Sequence, residues 1–551
     1  MSPLSRLFIL PALVVLATCG SDDGTGPGPA ARVRIVPESA ALVVGEQLQL
    51  TALVLDSSGR LITGSTVAWS SETPAVATVG DLGMVTALAP GSATIRAEAA
   101  GFSATLVVPV TAAPAGGVGV VAVNPSIRYQ TMTGWQAGPQ AWHEHAQWDA
   151  FGPGLLDRAV NELGLDRVRL GFRSGVENSR DIHAEWLAGT ITYQELRCNR
   201  YATVNDNVDP FVLRPEGFHF TDTDKAVEKV VLPLRQRLQA RGERLYVTLA
   251  YLAFTSQNCA GTSYHHTQPE EYAEVVLAAF LHLRDKYGLV PDAFELLNEP
   301  DNTTFGPAAL AAPLAAIAAR LRAHGFDPDF IAPSTSGSAS AAPYFDAING
   351  NPAARGIIDE IAYHRYDQVT TATLQGLAQR AAAAGIRTAM GEHNGSGIED
   401  LYEDLTVANA SSWEQGALAF QLLEAGDDGT VHYMIDDRNP GVPVVRMASR
   451  SRYLSQVFRY VRLGAVRIAA SSSDPLLAPV AFINASGRHV VVIRAGTGAT
   501  IPISGLPAGT YGINYTTASA FNVEAAPVTL GTGQLLQATI PAAGVISVYG
   551  K

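Results

Sequence analysis

Charged side chains are scarce in this chain, and positive ones are the scarcer kind. Only 16% of the 551 residues are Asp, Glu, Lys or Arg, and the formal net charge is −13. A chain of this sign repels phosphate-rich surfaces, so we expect neither nucleic acid nor an anionic membrane surface as a partner. The length predicts two or three domains.

Cysteine is almost absent as well. Of the three cysteines, Cys19 belongs to the N-terminal segment, which leaves Cys198 and Cys259 in loop-like sequence. In an exported chain such an even pair predicts a disulfide, here between two neighbouring loops. No cysteine and histidine spacing typical of zinc surrounds them, and the adjacent His265 and His266 point in different directions in regular structure. We therefore expect no metal and no cofactor.

Long apolar runs are also missing, apart from one at the N-terminus. Leu7 to Ala17 follows Arg6 and is too short to span a bilayer, as is typical of a secretory signal. The run ends at Cys19 and is followed by a Gly/Pro/Asp tether at 20–31. Residues 1–19 resemble a bacterial lipoprotein signal, which implies lipidation of Cys19, although Thr18 stands where that family usually has Gly, Ala or Ser. The alternative is an ordinary signal cleaved nearby. Both predict export.

Residues 32–112 contain short β-type runs with turns every eight to twelve residues, which predicts a small sandwich. The runs VAWSS, VATV, GMVTA and GSATI resemble the bacterial Ig-like domain of group 2. The resemblance implies either a spacer that holds the next domain away from the cell surface or a module for adhesion or glycan binding. We favour the spacer. A Gly-rich linker follows at 113–119.

From residue 120 to about 461, strand-like and helix-like segments alternate, which predicts a (β/α)8 barrel. The predicted strands are 129–135, 166–171, 244–250, 292–298, 328–333, 358–364, 387–392 and 430–436. The predicted helices are 153–163, 223–241, 269–287, 307–324, 371–384, 412–425 and 446–460. The long loop 172–222 follows strand two and should form a wall of the cleft, because loops after strands lie on the catalytic face.

Residues 462–551 lose the helical pattern and predict an all-β sandwich module. The strand-like stretch before the barrel, VGVVAVNPSIRYQ, is a candidate to pair with this module. Both ends of the barrel segment would then meet in one β structure.

Two carboxylates end apolar strands in similar ways. Glu299 follows Phe294 to Asn298 and precedes Pro300, and Glu392 ends the run RTAMGE. They lie 93 residues apart (392 − 299 = 93), which is room for about three strand–helix units. Carboxylates at the ends of strands four and seven are a common arrangement for cleaving glycosidic bonds. For either glutamate alone, a solvated or salt-bridged role would be the better interpretation.

Over residues 120–551 the chain resembles glycoside hydrolase family 30 and its clan of retaining glycosidases. In that clan an Asn–Glu pair ends strand four, and Asn298 and Glu299 match it. The resemblance implies that Glu299 is the general acid/base and Glu392 the nucleophile. It implies a retaining β-glycosidase acting on a polysaccharide or oligosaccharide. The alternatives are another family of the clan, or a non-catalytic glycan-binding or adhesive surface protein.

The same resemblance suggests further substrate-binding residues. Arg169 at the end of strand two and His364 and Tyr366 at the end of strand six match positions that commonly orient the nucleophile, with a structural ion pair or a structural histidine as the alternative. Trp135 after strand one is a candidate sugar platform or simply core, and Tyr433 lies near the predicted end of strand eight. In addition, Glu295 is expected to be a buried structural carboxylate, and the polar run 436–438 departs from the aromatic that the clan places after strand eight.

Overall fold

The computed structural model describes residues 27–45, 47–111, 119–259, 264–303, 305–423, 426, 427 and 429–551. The predicted signal with Cys19, most of the tether at 20–31 and most of the linker at 113–119 lie outside the described residues. The described chain forms an N-terminal Ig-like domain, a closed parallel barrel and a C-terminal β-module. Among these residues, no helix is both long and apolar enough to cross a membrane.

The Ig-like domain is a sandwich of short strands around a small apolar core. Its core contains Leu48, Val85, Ile95 and Val108, which alternate with exposed positions along their strands. This alternation is expected for antiparallel sheets with one solvated face. The strands are Ala30–Val36, Leu42–Val43, Gln47–Gln49, Thr51–Asp56, Ala68–Ser71, Ala77–Val79, Met84–Ala87, Gly91–Ala99 and Phe102–Thr111.

Eight parallel strands close into the predicted barrel. In chain order, barrel strands one to eight are Gly134–Gly138, Arg167–Arg173, Tyr246–Leu252, Ala293–Glu295, Asp329–Ile331, Ile358–His364, Arg387–Glu392 and Ala410–Ala417. The α-helices of this region are Trp148–Arg158, Ile182–Leu187, Tyr193–Asn199, Thr221–Ala226, Leu232–Ala240, Pro269–Tyr287, Ala311–Ala323, Ser338–Gly350, Thr371–Ala384, Ile398–Glu403 and Ser449–Phe458. The carboxyl ends of all eight strands face the same end of the barrel, where a site is expected.

The predicted position of strand eight is wrong. The strand is Ala410–Ala417, most of which was predicted to lie in a helix at 412–425. All but the last of its residues are buried, so it shows no alternation that would reveal a strand. The segment predicted as strand eight instead contributes Tyr433–Asp436 to a separate three-stranded sheet with Ala419–Gln421 and Val444–Met447.

The C-terminal module is one nine-stranded sheet that includes the strand before the barrel, as proposed from the sequence. Val121–Thr131 pairs antiparallel with Val466–Ser472 and so belongs to this sheet rather than to the barrel. The strand order across the sheet is Val523–Leu530, Gly509–Thr517, Gly544–Gly550, His489–Ala495, Leu477–Ile483, Val466–Ser472, Val121–Thr131, Ala499–Ser504 and Leu536–Ile540. Strands from both ends of this sheet contribute to one apolar core, which shows that the sheet curls on itself.

The Ig-like domain contacts the C-terminal module. Ile127 and Ala469, from the two paired strands of the module, are buried in the core of the Ig-like domain. The side chain of Asn124 donates to the backbone oxygen of Ala41 at 2.8 Å. The domain is therefore packed against its neighbour and is not held by linkers alone.

The long loop after barrel strand two is built from short helices and turns. A disulfide joins Cys198 in this loop to Cys259 in the loop after strand three, with Cα atoms 4.9 Å apart. The backbone N–H of Cys259 also donates to the oxygen of Cys198 at 3.1 Å. The loop is thus tied to its neighbour at the mouth of the barrel.

Candidate active site

Glu299 lies just beyond barrel strand four, where the chain turns sharply. Its backbone adopts the left-handed conformation, with φ 50° and ψ 61°. For a residue with a Cβ this conformation costs about 1–2 kcal/mol. The turn is held by the N–H of Glu299, which donates to the oxygen of Ser334 at 2.9 Å, and Pro300 prevents the strand from continuing. Strain of this kind is common at functional sites.

Glu392 is the last residue of barrel strand seven and accepts two hydrogen bonds. Arg169 Nη1 donates to Oε2 at 2.6 Å, and the hydroxyl of Tyr366 donates to Oε1 at 3.0 Å. Burial alone would raise the pKa of Glu392, but the charge of Arg169 and the hydrogen bonds from Arg169 and Tyr366 hold the pKa below its ordinary value. Glu392 is therefore kept ionised, as a nucleophile requires.

The two carboxylates meet around His364. One oxygen of Glu299, one oxygen of Glu392 and a ring nitrogen of His364 all lie within 4.8 Å of one another. His364 Nδ1 lies 3.0 Å from Glu299 Oε1, and Asn302 Nδ2 donates to Glu299 Oε2 at 2.9 Å. His364 is fully buried, so its ring is fixed between its partners.

Hydrogen bonding assigns one shared proton to Glu299 and His364. The hydroxyl of Ser334 donates to Glu295 at 2.6 Å, so its oxygen accepts from His364 Nε2, which lies 3.2 Å away. With the ring proton on Nε2, a neutral His364 presents a lone pair at Nδ1. The contact between Nδ1 and Glu299 Oε1 then needs one proton, which lies either on Glu299 or on the imidazole. The site can therefore hold a proton between Glu299 and His364 beside an ionised Glu392.

Arg169 connects this pair to the interior of the barrel. Its Nε and Nη2 each donate to a carboxylate oxygen of Glu295 at 2.6 Å, and Nη2 also donates to Asn298 Oδ1. The opposite side of the guanidinium contacts Glu392. Glu295 is buried, as expected from the sequence, and it orients the arginine. Two carboxylates around one planar guanidinium make a rigid arrangement.

Glu414, on the true strand eight, was not predicted as a residue of the site. Glu414 is buried near Arg169 and Glu392, and Gln136 donates to it. Burial raises the pKa of Glu414 to about 8, and Arg169 only partly offsets this effect. Glu414 therefore carries a proton at neutral pH, unlike Glu392. The role of Ser334 in orienting His364 also depends on contacts that the sequence does not reveal.

Two predicted substrate contacts are wrong. Trp135 is 0% exposed, stacks on Phe458 with ring centroids 4.5 Å apart, and donates to the oxygen of Val461 at 2.6 Å. Tyr433 is also 0% exposed and has the guanidinium of Arg158 over its ring. Neither ring can stack on a sugar, because both lie in the core.

A cavity of roughly 340 Å³ opens on the same face of the barrel. It is bounded by the carboxyl end of strand two and by the loops after strands one, two and eight. Its aromatic lining is Trp142, Trp186, Tyr193 and the half-exposed Phe420. The loop after strand two thus supplies part of a wall at the catalytic face, and Phe420 provides an aromatic after the true strand eight.

A metal ion fits this site poorly. Glu299, His364 and Glu392 offer suitable ligand atoms close together. However, Arg169 already contacts Glu392 at 2.6 Å, and its guanidinium would repel a divalent cation at that distance. The chemistry available to these residues is proton transfer and nucleophilic attack.

Comparisons with known proteins agree with this architecture. Residues 29–108 match the family described as bacterial Ig-like domain (group 2). No curated protein sequence matches the chain. A glycoside hydrolase family 30 endoxylanase from Clostridium papyrosolvens C71 is similar in structure over 78% of this chain and 100% of its own, with a TM-score of 0.55 and 15% identity.

Two further structures are similar to the same extent. SrfJ from Salmonella typhimurium is similar over 81% of this chain and 96% of its own, with a TM-score of 0.57 and 15% identity. An endo-β-1,6-glucanase is similar over 79% of this chain and 95% of its own, with a TM-score of 0.55 and 15% identity. The barrel and its β-module therefore have the fold of family 30 glycoside hydrolases, and a bacterial Ig-like domain of group 2 precedes them.

Proposed function

We propose that the barrel is a retaining glycoside hydrolase that cleaves β-glycosidic bonds of a polysaccharide by double displacement. The observation that carries the proposal is the pair of strand-end carboxylates, Glu299 and Glu392, with oxygens within 4.8 Å of each other. Retaining enzymes place their carboxyl groups about 5–5.5 Å apart, whereas inverting enzymes leave about 6.5–9.5 Å for a water molecule.

In the first step, Glu392 attacks the anomeric carbon while Glu299 gives its proton to the departing glycosidic oxygen. Arg169 and Tyr366 hold Glu392 ionised and aimed. In the second step, water transfers a proton to Glu299 and attacks the glycosyl-enzyme ester, which releases the sugar and restores Glu392. His364 keeps the proton of Glu299 at hand through its contact at Nδ1.

The class of substrate is supported by the fold and by the cavity. The similar structures include an endoxylanase and an endo-β-1,6-glucanase, which suggests a polymer rather than a small glycoside. Aromatic side chains lining a cavity on the catalytic face, such as Trp186 and Phe420, suit the apolar faces of sugar rings. A disulfide in the loop beside that cavity supports export, to the cell surface through Cys19 or into the medium.

Two other functions compete with this proposal. Another family of the same clan would use the same two glutamates on a different sugar. A non-catalytic glycan-binding or adhesive protein would use the cleft without cleavage. The placement of Glu392, held ionised by Arg169, close to Glu299 favours catalysis, because binding alone does not need two carboxylates at this spacing.

A substrate panel separates these functions. Xylan, β-1,6-glucan, β-1,6-galactan and aryl β-glycosides should be incubated with the full chain and the released reducing ends measured. We expect turnover of at least one member. Binding to a polymer without any turnover would support the adhesive alternative.

The roles are tested by Glu299→Ala. This variant should still form the glycosyl-enzyme from an aryl glycoside whose leaving group needs no proton, and should then accumulate it. Added azide should release a β-glycosyl azide, with the configuration retained. If the variant keeps full activity on a polymer, the assignment of Glu299 is wrong.

A further inference from the structure

A second group of carboxylates lies away from the catalytic pair, between the long loop and a barrel helix. Glu177 belongs to the loop after strand two, and Glu271 and Glu274 lie one turn apart on helix Pro269–Tyr287. One oxygen of each of the three lies within 4.8 Å of the others. Like charges held this close repel one another unless a cation or a proton lies between them.

Several oxygens of this group have no hydrogen-bond partner in the described structure. Glu274 is 0% exposed, and neither of its carboxylate oxygens is hydrogen-bonded. Glu271 Oε2 is likewise buried and without a partner. Buried polar atoms are nearly always paired, and an unpaired buried carboxylate is costly. These oxygens belong to the same group of carboxylates, so they are available to bind one ligand there.

Glu177 is buried beside the imidazoles of His265 and His266. Its Oε2 contacts both Nε2 atoms, at 3.0 Å and 2.5 Å, while Oε1 accepts from the N–H of Asp206 at 3.0 Å. A carboxylate oxygen has two lone pairs, so Oε1 can still bind a cation.

The cations nearby are already engaged. Arg320 donates to Glu270 and to the backbone oxygen of Pro210, so its guanidinium is already hydrogen-bonded. The imidazoles are also used on both nitrogens, because His265 Nδ1 contacts Thr203 and His266 Nδ1 contacts Tyr251. Neither ring has a lone pair to offer a zinc or copper ion.

We propose that Glu177, Glu271 and Glu274 bind a structural calcium ion. All the available donors are oxygens, as hard cations prefer, and three carboxylates supply the charge that a buried Ca²⁺ needs. The flexible ligand number of Ca²⁺ allows backbone oxygens and water to complete the shell, whereas Mg²⁺ demands stricter octahedral geometry.

The calcium ion would tie the long loop to the helix after strand three. The Cys198–Cys259 disulfide ties the same loop to the segment before that helix. The loop contributes Trp186 and Tyr193 to the cavity at the catalytic face. The ion would therefore stabilise one wall of the cleft without taking part in the reaction.

A proton is the competing ligand. Burial and the charges of Asp206, Glu177 and Glu271 raise the pKa of Glu274 to about 8, so a protonated Glu274 would also relieve the repulsion. The proton and the calcium ion predict different effects when the charge of Glu274 is removed. Glu274→Gln mimics the protonated acid and should leave stability unchanged or higher if a proton is the ligand, but should abolish metal binding if calcium is.

The test uses the full chain after treatment with a chelator. Calcium titration by calorimetry should show one Ca²⁺ per chain, with Mg²⁺ bound at least about tenfold more weakly. Saturating calcium should raise the midpoint of thermal unfolding by about 3 °C or more. Glu274→Gln should weaken calcium binding at least about 100-fold and remove the shift, since even partners of metal ligands contribute about 10–100-fold.

Glu216→Gln is the matched control, since Glu216 is exposed on the same loop. It should bind calcium as the wild type does. Glu271→Gln provides a second variant if Glu274→Gln fails to fold. The proposal is overturned if the wild type binds no calcium up to about 10 mM, well above the range of weak extracellular sites. Equal calcium binding by wild type and Glu274→Gln would overturn it too.

Discussion

Two buried arginines on barrel strand two have similar partners but serve different ends. Arg167 pairs with Glu360 at 3.0 Å, and two residues further along, Arg169 pairs with Glu295 at 2.6 Å. Both arginines point into the barrel, since alternate residues of a strand share one face. The difference is that Arg169 also reaches Glu392 at the mouth of the barrel.

Arg167, which lies deeper in the barrel than Arg169, has hydrogen-bond partners for its Nε, Nη1 and Nη2 atoms inside the barrel. Its other donors contact Thr248 Oγ1 at 3.1 Å and Thr133 Oγ1 at 2.8 Å, and the carboxylate of Glu360 is 1% exposed. The side chain of Glu392, by contrast, is 25% exposed and open to the cleft. An arginine–glutamate ion pair is therefore structural at Arg167. At Arg169, two residues nearer the mouth of the barrel, it is part of the site. Position along the strand, not residue type, separates the two roles.

The largest effect should distinguish Glu392, which accepts from Arg169, from Glu360, which accepts from Arg167. Glu392→Gln should lower kcat on an aryl glycoside by about 10⁴-fold or more, because no glycosyl-enzyme can form. Its thermal unfolding midpoint should stay close to that of the wild type. Glu360→Gln should instead lower the thermal unfolding midpoint, because Arg167 loses its ion-pair partner. Its kcat should stay within about tenfold of the wild-type value. Initial rates and thermal unfolding of both variants measure this contrast. A catalytically dead Glu360→Gln that folds normally would contradict it.

A smaller effect is expected for the arginines themselves. Arg169→Lys cannot hold Glu295 and Glu392 at once, so kcat should fall by about 10²–10³-fold, as for other lost charge-stabilising donors. Since Arg169 lowers the pKa of Glu392, the acidic limb of the kcat/KM profile should also move to higher pH.

Arg167→Lys is the paired control for this change. It should leave that acidic limb in place and lower mainly the unfolding midpoint. An unmoved acidic limb in Arg169→Lys would mean that the arginine does not control the ionisation of Glu392.

Glu414 should make stability depend on pH in a particular direction. Its pKa is raised to about 8 in the folded chain, so the native state holds a proton that the unfolded state releases near pH 4.5. The contribution is therefore fully present below about pH 4.5 and is lost as pH rises toward 8. Wild-type stability should fall relative to Glu414→Gln by up to about 1.4 kcal/mol per pH unit in this interval. Parallel profiles from denaturant unfolding at several pH values would show that Glu414 is not protonated.

The smallest effect on chemistry should come from removing the Ig-like domain. Deleting residues 20–115 leaves both arginine pairs and the cleft intact, so turnover of an aryl glycoside should stay within about twofold. Because Ile127 and Ala469 would become exposed, the remaining chain should unfold at a lower temperature. A large loss of turnover would show that this domain shapes the cleft, contrary to the spacer interpretation.

The sequence predicted the barrel and the positions of Glu299 and Glu392 near strand ends, because these signals are local. Apolar runs that end in Asn–Glu–Pro or in Gly–Glu mark strand ends without reference to the rest of the fold. The prediction of strand eight was wrong because polar groups of this strand are buried against partners distant in sequence. Gln136 donates to Glu414, and the ring N–H of Trp413 donates to Asp404. A buried polar strand has neither the alternation nor the apolar run that predicts one.

The errors at Trp135 and Tyr433 follow from wrongly predicted strand boundaries. Strand one was predicted at 129–135, which put Trp135 at its carboxyl end, whereas the strand is Gly134–Gly138 and Trp135 lies near its start. Tyr433 was attached to the wrong strand eight. Which end of a strand a residue occupies decides between core and site, and strand boundaries are what sequence predicts least well.

The most direct test of the catalytic pair is the configuration of the first product. Proton NMR during hydrolysis of a β-glycoside by the wild type resolves the anomeric signals before mutarotation mixes them. Because one carboxylate oxygen of Glu299 and one of Glu392 lie within 4.8 Å of each other, we predict that the β-anomer appears first. An α-anomer as the first product would contradict double displacement by these two residues.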